Sequence, residues 1–317
     1  MRNVTLRQLR VFAAAARNSS FGKAAAELHL SPPAISMQIR ELEEQVGLPL
    51  FDRSSRQVAL TVTGEYLLVY AKKILATLKD AEDAVARFRG LKSGRVSIGM
   101  VSTAKYFVPR LLAQFRREHP AIEVRLAVGS NREQLVAMLQ ANEVDLAIMG
   151  RPPRDFATRA EPFAVHPHAV VAAPDHPLLA VGHAPAQLLN HYEFLIREQG
   201  SGTRAAMESY FSLHHLHPPV AMEMTSNETI KQAVMAGMGI SFLSLHTIGI
   251  ELKAGLIAVP EIEGLPLLKR WYVVNTLAKT LSPAAEAFRY FILEEGERFL
   301  AREYGVPEAG AEAREPA

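Results

Sequence analysis

The chain contains no cysteine. That absence excludes disulfides, thiolate-held metals and cysteine nucleophiles together, and it suits a reducing compartment. Long apolar runs are missing too, since no stretch approaches the roughly 20 residues that span a bilayer. Only Val11-Phe12-Ala13-Ala14-Ala15-Ala16, behind Arg2, Arg7 and Arg10, imitates a signal peptide. Its apolar core is short and runs straight into a further helical pattern, so the expectation is a cytoplasmic protein without membrane attachment. A charge excess is also lacking. The formal net charge is +2, and residues 1–63 hold eight Lys or Arg against five Asp or Glu, a local +3. That is too little to signal nucleic-acid binding by itself.

Enzyme and metal signatures are sparse in the same way. No Gly-x-Ser-x-Gly elbow occurs. His214-His215-Leu216-His217 and His166-Pro167-His168 lack the i, i+4 spacing of a zinc helix and an adjacent carboxylate, so surface or loop packing is expected of them and no metal or cofactor. Gly200-Ser201-Gly202-Thr203 lacks the Gly-Lys-Ser/Thr of a phosphate-binding P-loop. Ala236-Gly237-Met238-Gly239-Ile240 reads as a helix-to-strand turn. What is present is 317 residues, 49% hydrophobic, enough for two or three folded domains.

The N-terminal segment carries the strongest pattern. Leu6, Leu9, Phe12, Ala13 and Ala16 recur at helical spacing. Ser19 or Ser20 can cap a short second helix from Phe21 to Leu28, whose Ala24-Ala25-Ala26 permits close helix crossing. His29-Leu30 makes a tight turn. Ser31 is an N-cap with Pro32 at the first helical position. Ile35, Ile39, Leu42 and Val46 form the buried stripe of a third helix that Gly47 ends. This is the helix-turn-helix pattern, whose third element inserts its leading end into the major groove. An ordinary three-helix bundle shares the same spacing. The next segment, Leu50-Phe51-Asp52-Arg53 to Val58-Ala59-Leu60-Thr61, reads as two short strands around a basic tip, a wing.

The strings Leu28 to Glu43, Gly47-Leu48-Pro49-Leu50-Phe51-Asp52-Arg53 and Leu60-Thr61-Val62-Thr63-Gly64 resemble LysR-type transcriptional regulators. The resemblance implies operator-DNA contacts from Ser31, Pro32, Pro33, Ser36, Met37 and Arg40, with Arg53 and Arg56 on the phosphates. Many relatives have Arg where this chain has Met37, so an apolar contact such as a thymine methyl is expected there.

From residue 65 to residue 89 there is no proline or glycine. Leu67, Ala71, Ile74, Leu78, Ala81, Val85 and Phe88 step by four and three as a heptad seam. About 25 residues make a rod of roughly 38 Å. It requires either a partner helix or packing on its own chain. The resemblance implies an antiparallel linker-helix dimer, assembling to a homotetramer on imperfect inverted repeats, and contact with RNA polymerase.

Beyond a hinge at 90–94, strands expected at 96–100, 123–128 and 145–149 alternate with helices at 107–118 and 132–142, and the pattern restarts from residue 169. The expected organisation is an all-α winged helix-turn-helix (1–63), a linker helix (64–89), the hinge, a two-lobed α/β effector domain resembling periplasmic binding proteins (95–304) and a disordered tail (305–317). A cleft at strand C-termini would take the ligand. Ser102, Thr103, Ser130, Asn131, Arg151, Gly200, Ser201, Gly202, Thr203 and Asn227 stand at such ends, with Lys105, Arg197 and Arg204 as basic neighbours. They suit a small anionic metabolite of phosphorylated type; each could equally be a cap or turn residue. Leu6-Arg7-Gln8-Leu9-Arg10, Ser31 to Gln38 and Gly200 to Arg204 are similar to regulators of Calvin–Benson cycle carbon-fixation operons, which implies an activator answering to phosphorylated sugars, phosphoenolpyruvate or NADPH. The competing expectations are a regulator of another metabolic operon, and a solute-binding protein or enzyme whose N-terminal helices serve only assembly.

Overall fold

The computed structural model describes residues 4–52, 58–86, 94–129 and 131–305. The chain divides into two compact units, Met1–Phe88 with Ala141–Glu143, and Arg89–Gln140 with Val144–Ala317.

In the first unit, α1 (Leu6–Asn18) starts from a reciprocal cap. Gln8 N donates to Thr5 Oγ1 at 3.2 Å and Thr5 N donates to Gln8 Oε1 at 2.9 Å. Ser20, not Ser19, caps α2 (Phe21–Glu27). Ser31 caps α3 (Pro32–Val46), and Gly47 ends it at φ 80°, a left-handed conformation that glycine adopts without strain. Leu9, Phe12, Ala24, Ala25, Ile35, Ile39, Leu42 and Phe51 make one core. Phe51 receives Phe12 and Phe21 edge-on, at ring distances of 5.5 and 5.3 Å. Strands β1 (Phe51–Asp52) and β2 (Ala59–Leu60) pair antiparallel; Arg53 and Arg56 lie outside the described residues.

The helix α4 (Val62–Ala86) follows. Thr61 starts it, accepting from Gly64 N at 3.0 Å and donating to the Pro49 carbonyl at 2.7 Å. A Cβ on Gly64 would meet the Leu50 carbonyl oxygen at 2.1 Å, so only glycine lets the helix start against the wing. Thr61→Val removes this cap and is expected to lower the unfolding free energy of the unit by about 1 kcal/mol. Urea denaturation followed by far-UV circular dichroism measures it; an unchanged midpoint would mean the cap contributes nothing.

The structure corrects the expected seam on α4. Ala71 is fully buried, and Leu67, Leu68 and Leu75 pack on the three-helix core. The apolar side chains left exposed are Val62, Tyr66, Val69, Tyr70 and Ile74. The open side of the bundle takes the Leu67–Ala71 face, so the stripe available to a partner is rotated to the Tyr66–Tyr70 face, with Ile74 common to both. Of the remaining expected positions, Leu78 is half-buried and Ala81 exposed. The side chains of Val85 and Phe88 lie outside the description.

The second unit is built on one sheet ordered β4-β3-β5-β10-β6-β9-β7-β8. One lobe holds β3 (Gly94–Val101), β4 (Ile122–Gly129) and β5 (Leu146–Met149), with α5 (Val108–Glu118) and α6 (Arg132–Gln140) between them. The other holds β7 (Phe194–Arg197), β8 (Val220–Met224) and β9 (Ile240–Ser244), with α7 (Gly202–Leu213) and α8 (Asn227–Met235) between them. Within each lobe these strands are parallel. Two long strands, β6 (Thr158–Val171) and β10 (Leu267–Thr276), run antiparallel through both lobes. The pattern that restarts from residue 169 thus catches only the end of a 14-residue element. Pro162 and Pro167 disguise the rest. The structure accommodates Pro162 beside a register shift between Trp271 and Tyr272, where a missing ladder donor is tolerated. The short helix α9 (Gly249–Lys253) and the long α10 (Pro283–Tyr304) complete the unit. α10 packs Phe288, Ile292 and Leu300 into the core of the first lobe.

Candidate functional site

Two surfaces carry chemistry. The first is the outer face of α3. Its caps and the Ile35–Ile39–Leu42 stripe fix which side faces out, and Ser31, Pro32, Pro33, Ser36, Met37 and Arg40 are all exposed, Met37 at 55%. The helix therefore presents a small, mostly neutral leading end followed by one cation, a shape that can approach base edges closely.

The second is a cavity of about 260 Å³ between the lobes of the α/β unit. It opens where β3, β5 and β7 end, the location expected of a ligand site in parallel sheets. Ser102 and Thr103 come from the end of β3, Asn131 from the turn before α6, and Arg151 from the end of β5. Arg197 ends β7, and Ser201, Gly202 and Thr203 open α7. Ser201 is 7% exposed and stands at the N-cap of α7 without making the usual side-chain cap. Its hydroxyl and the first N–H groups of the helix therefore face a common anion-favouring end. Among the described residues, the cavity is lined by four cationic side chains, Arg132, Arg151, Arg197 and Lys269, against one carboxylate, Glu198.

Arg197 is 3% exposed and its three nitrogens are held by two partners. It pairs with Glu198 through two hydrogen bonds of 2.7 and 2.8 Å, and its third nitrogen donates to Asn227 Oδ1. Arg132 is anchored by donating to the carbonyls of Arg151 and Pro152, at 3.0 and 3.2 Å. Burial and then the charge of Arg151 lower its pKa.

Four expected residues fall outside the cavity lining, each for a local reason. Arg204 points away, paired with Glu208 at 2.5 Å one helical turn on and with Glu223, and it donates to the Arg197 carbonyl. Lys105 is exposed, with its ammonium over the Tyr106 ring. Asn227 acts one step back, by holding Arg197. Gly200 takes φ +84°, and a Cβ there would press on the Glu133 carboxylate. Ser130 lies outside the described residues.

The floor comes from the long strands and was not anticipated as a site. Along with Lys269, His166, His168 and Trp271 line it. The two histidines expected in a loop are instead buried strand residues, 5% and 2% exposed. His166 stacks on Trp271 at a ring distance of 3.8 Å, and the His168 ring lies tilted against it at 4.1 Å. Gly150 makes room for it, since a Cβ there would come within 3.0 Å of His166 Nδ1. Trp271 Nε1 donates to Nδ1 of buried His246 at 3.0 Å. Burial disfavours the charged imidazole, holding His168 down at about 4, His246 at about 3 and His166 well below its usual value. At neutral pH the imidazoles of the floor are therefore uncharged, beside the cationic side chains of the lining. The other histidine run, His214 to His217, sits beyond the end of α7, with His214 against the Tyr210 ring. Among the described residues no cluster of three His, Asp or Glu is arranged to hold a metal.

Comparison with known proteins bears on both surfaces. Residues 6–65 match the model of bacterial regulatory helix-turn-helix proteins of the lysR family. Residues 89–297 match the LysR substrate binding domain. The chain is 49% identical over 305 residues to the HTH-type transcriptional regulator CfxR of Cupriavidus necator, covering 96% of each. It is 46% identical over 300 residues to a RuBisCO operon transcriptional regulator of Allochromatium vinosum, covering 95% of this chain and 99% of the relative. Among solved structures, the regulatory domain of Synechocystis CcmR in complex with 2-PG matches with a TM-score of 0.61 and 40% identity, over 64% of this chain and 97% of that one.

Proposed function

The chain belongs to the LysR family of bacterial helix-turn-helix regulators, and we propose that it switches a carbon-fixation operon in response to a phosphorylated metabolite held between the lobes of its α/β unit. The relatives named for RuBisCO operon control support the choice of operon. The observation that carries the ligand class is the cavity lining, with four cations against one carboxylate around the start of α7. α3 enters the major groove, with Ser31, Pro32, Pro33, Ser36 and Met37 at the base edges and Arg40, Arg53 and Arg56 towards the phosphates. The exposed Tyr66–Tyr70 face of α4 pairs with a second copy, and dimers join as a homotetramer on inverted half-sites. The ligand favours one arrangement of the lobes, which alters half-site spacing and DNA bend and so the recruitment of RNA polymerase. No helix among the described residues is long and apolar enough to cross a membrane; the protein works in the cytoplasm, where its DNA is.

The test has two arms. Fragments enriched from random DNA by the wild-type protein are assayed by anisotropy at moderate salt, where sequence-independent binding weakens. Lack of preference over competitor DNA would return the N-terminal helices to an assembly role. Titration with 2-phosphoglycolate then reports the ligand, through a change in operator affinity. Arg197→Ala is expected to weaken that response about tenfold, the worth of one charge-assisted contact, and to leave ligand-free operator binding nearly intact. Loss of both would make Arg197 structural only.

A further inference from the structure

The helix α3 is held by a carboxylate on each flank. Glu41 Oε2 accepts from Gln8 Nε2 of α1 at 3.1 Å and from Gln38 Nε2 at 3.0 Å. Glu43 Oε1 accepts from the backbone N–H groups of Leu50 and Phe51, at 2.8 and 3.2 Å. Positions 41 and 43 are roughly 200° apart around a helix, so one faces α1 and the other the start of the wing. Glu43 also stands about two turns after Ser36, nearly on the same side of α3. The strand it holds therefore begins next to the face that carries Ser36, Met37 and Arg40.

The wing has little of its own to fix its direction. Among the described residues β1 and β2 share two residue pairs, Phe51 with Leu60 and Asp52 with Ala59. A short two-stranded ribbon is marginal by itself in water. Leu50 and Phe51 are buried in the three-helix core, which anchors the strand, but apolar packing is non-directional. Hydrogen bonds from a carboxylate to two consecutive N–H groups are directional and charge-assisted. They fix where the strand begins and which way it leaves. Glu43 supplies that constraint from α3 itself, while Thr61 N, donating to the Leu50 carbonyl at 3.0 Å, holds the other side.

We propose that Glu43 is a positioning residue for operator binding. It sets the wing against α3, so that Arg53 and Arg56, the arginines of the tip sequence, meet the phosphates while α3 occupies the groove. Its carboxylate oxygen is turned onto the chain's own N–H groups, so its part in binding is indirect. The inference rests on reading α3 and the wing as the DNA surface.

Operator affinity of the full-length protein is measured by anisotropy across about 100 to 300 mM salt, where each phosphate contact adds about 0.9 to the slope of log K against log salt. Arg53→Ala combined with Arg56→Ala is expected to lower that slope by about two. Glu43→Ala should lower it by about one or more and weaken binding about tenfold at moderate salt. Preference for the operator over a sequence altered at one base pair read by α3 should stay within about twofold, because phosphate contacts carry no sequence information. Glu43→Gln, whose amide oxygen reaches the same N–H groups, should recover most of the lost slope. In the background of the two arginine substitutions Glu43→Ala should cost little more, since its effect runs through those side chains. Additive losses overturn the proposal, and so does weaker binding at an unchanged slope; either result makes Glu43 merely structural. Tighter binding by both Glu43→Ala and Glu43→Gln also overturns it, by showing a charge that the phosphates repel. An unchanged slope in the arginine double variant overturns the wing as a phosphate-binding element, and the role of Glu43 with it. Should Glu43→Ala fold poorly, Glu43→Asp keeps the charge, falls one methylene short of the N–H groups and carries the same slope and coupling measurements.

Discussion

Ser36→Asp is expected to lower operator affinity by about two orders of magnitude or more while the thermal transition of the protein stays where it was. A carboxylate at the groove-facing surface meets the phosphate field and acceptor-rich base edges at once, without a counterion. Ser36 is exposed, flanked by Pro32, Pro33, Met37 and Arg40 on the same face, and makes none of the core contacts of Ile35 or Ile39. The change therefore touches binding and spares packing, since exposed substitutions away from caps are usually nearly neutral to stability. Anisotropy on the selected operator measures the first effect, and circular dichroism melting the second. Retention of affinity within a few-fold would remove α3 from the groove. Met37 offers a finer companion measurement. Met37→Arg exchanges an apolar tip for a bidentate donor and should move the preferred base from thymine towards guanine at one position of each half-site.

The helix-turn-helix is legible in the sequence because its determinants are local. Caps at Thr5, Ser20 and Ser31, the stop at Gly47 and a 3.6-residue apolar period all act within a turn or two of themselves. The linker helix is legible only in part. Periodicity shows that α4 is amphipathic, but it cannot say which of two adjoining apolar stripes the same chain will cover. The open side of the bundle decides that, and it takes Leu67 and Ala71.

The cavity divides along the same line. Residues at strand ends, such as Ser102, Thr103 and Ser201, could be read because a strand followed by a helix has a predictable C-terminal edge. The floor could not. His166, His168, Lys269 and Trp271 meet through the pairing of β6 with β10, about a hundred residues apart in the chain, and a short-range pattern has no access to that register. The place of Arg204 is legible locally. Glu208 stands four residues on along the same helix, and an i, i+4 pair is the ordinary destination of such a side chain.

The buried histidines also make the protein acid-labile in a defined window. His166, His168 and His246 are neutral in the folded state because burial suppresses their charge, and Lys269 beside His168 and the neighbouring imidazoles push the same way. In the unfolded chain each titrates near 6.5. Below that pH the unfolded state binds more protons than the folded one, so stability falls as pH falls. For His168 the loss accumulates from 6.5 down to about 4, and for His246 down to about 3. Between pH 7 and pH 5 His168 and His246 each contribute about 2 kcal/mol, His166 adds in the same direction, and the three together should lower the melting temperature by roughly 10 °C or more. Glu123 and Glu228, whose pKa values are lowered, act in the same direction but below their unfolded value of 4.5, outside this interval. Thermal melts followed by Trp271 fluorescence test the slope. His246→Gln removes one of the three protonation sites, so its melting temperature should fall less steeply with pH than that of the wild type, whatever its absolute value at pH 7. Parallel slopes for the two proteins would mean that His246 does not take up its proton on unfolding, and would place the acid sensitivity elsewhere in the chain.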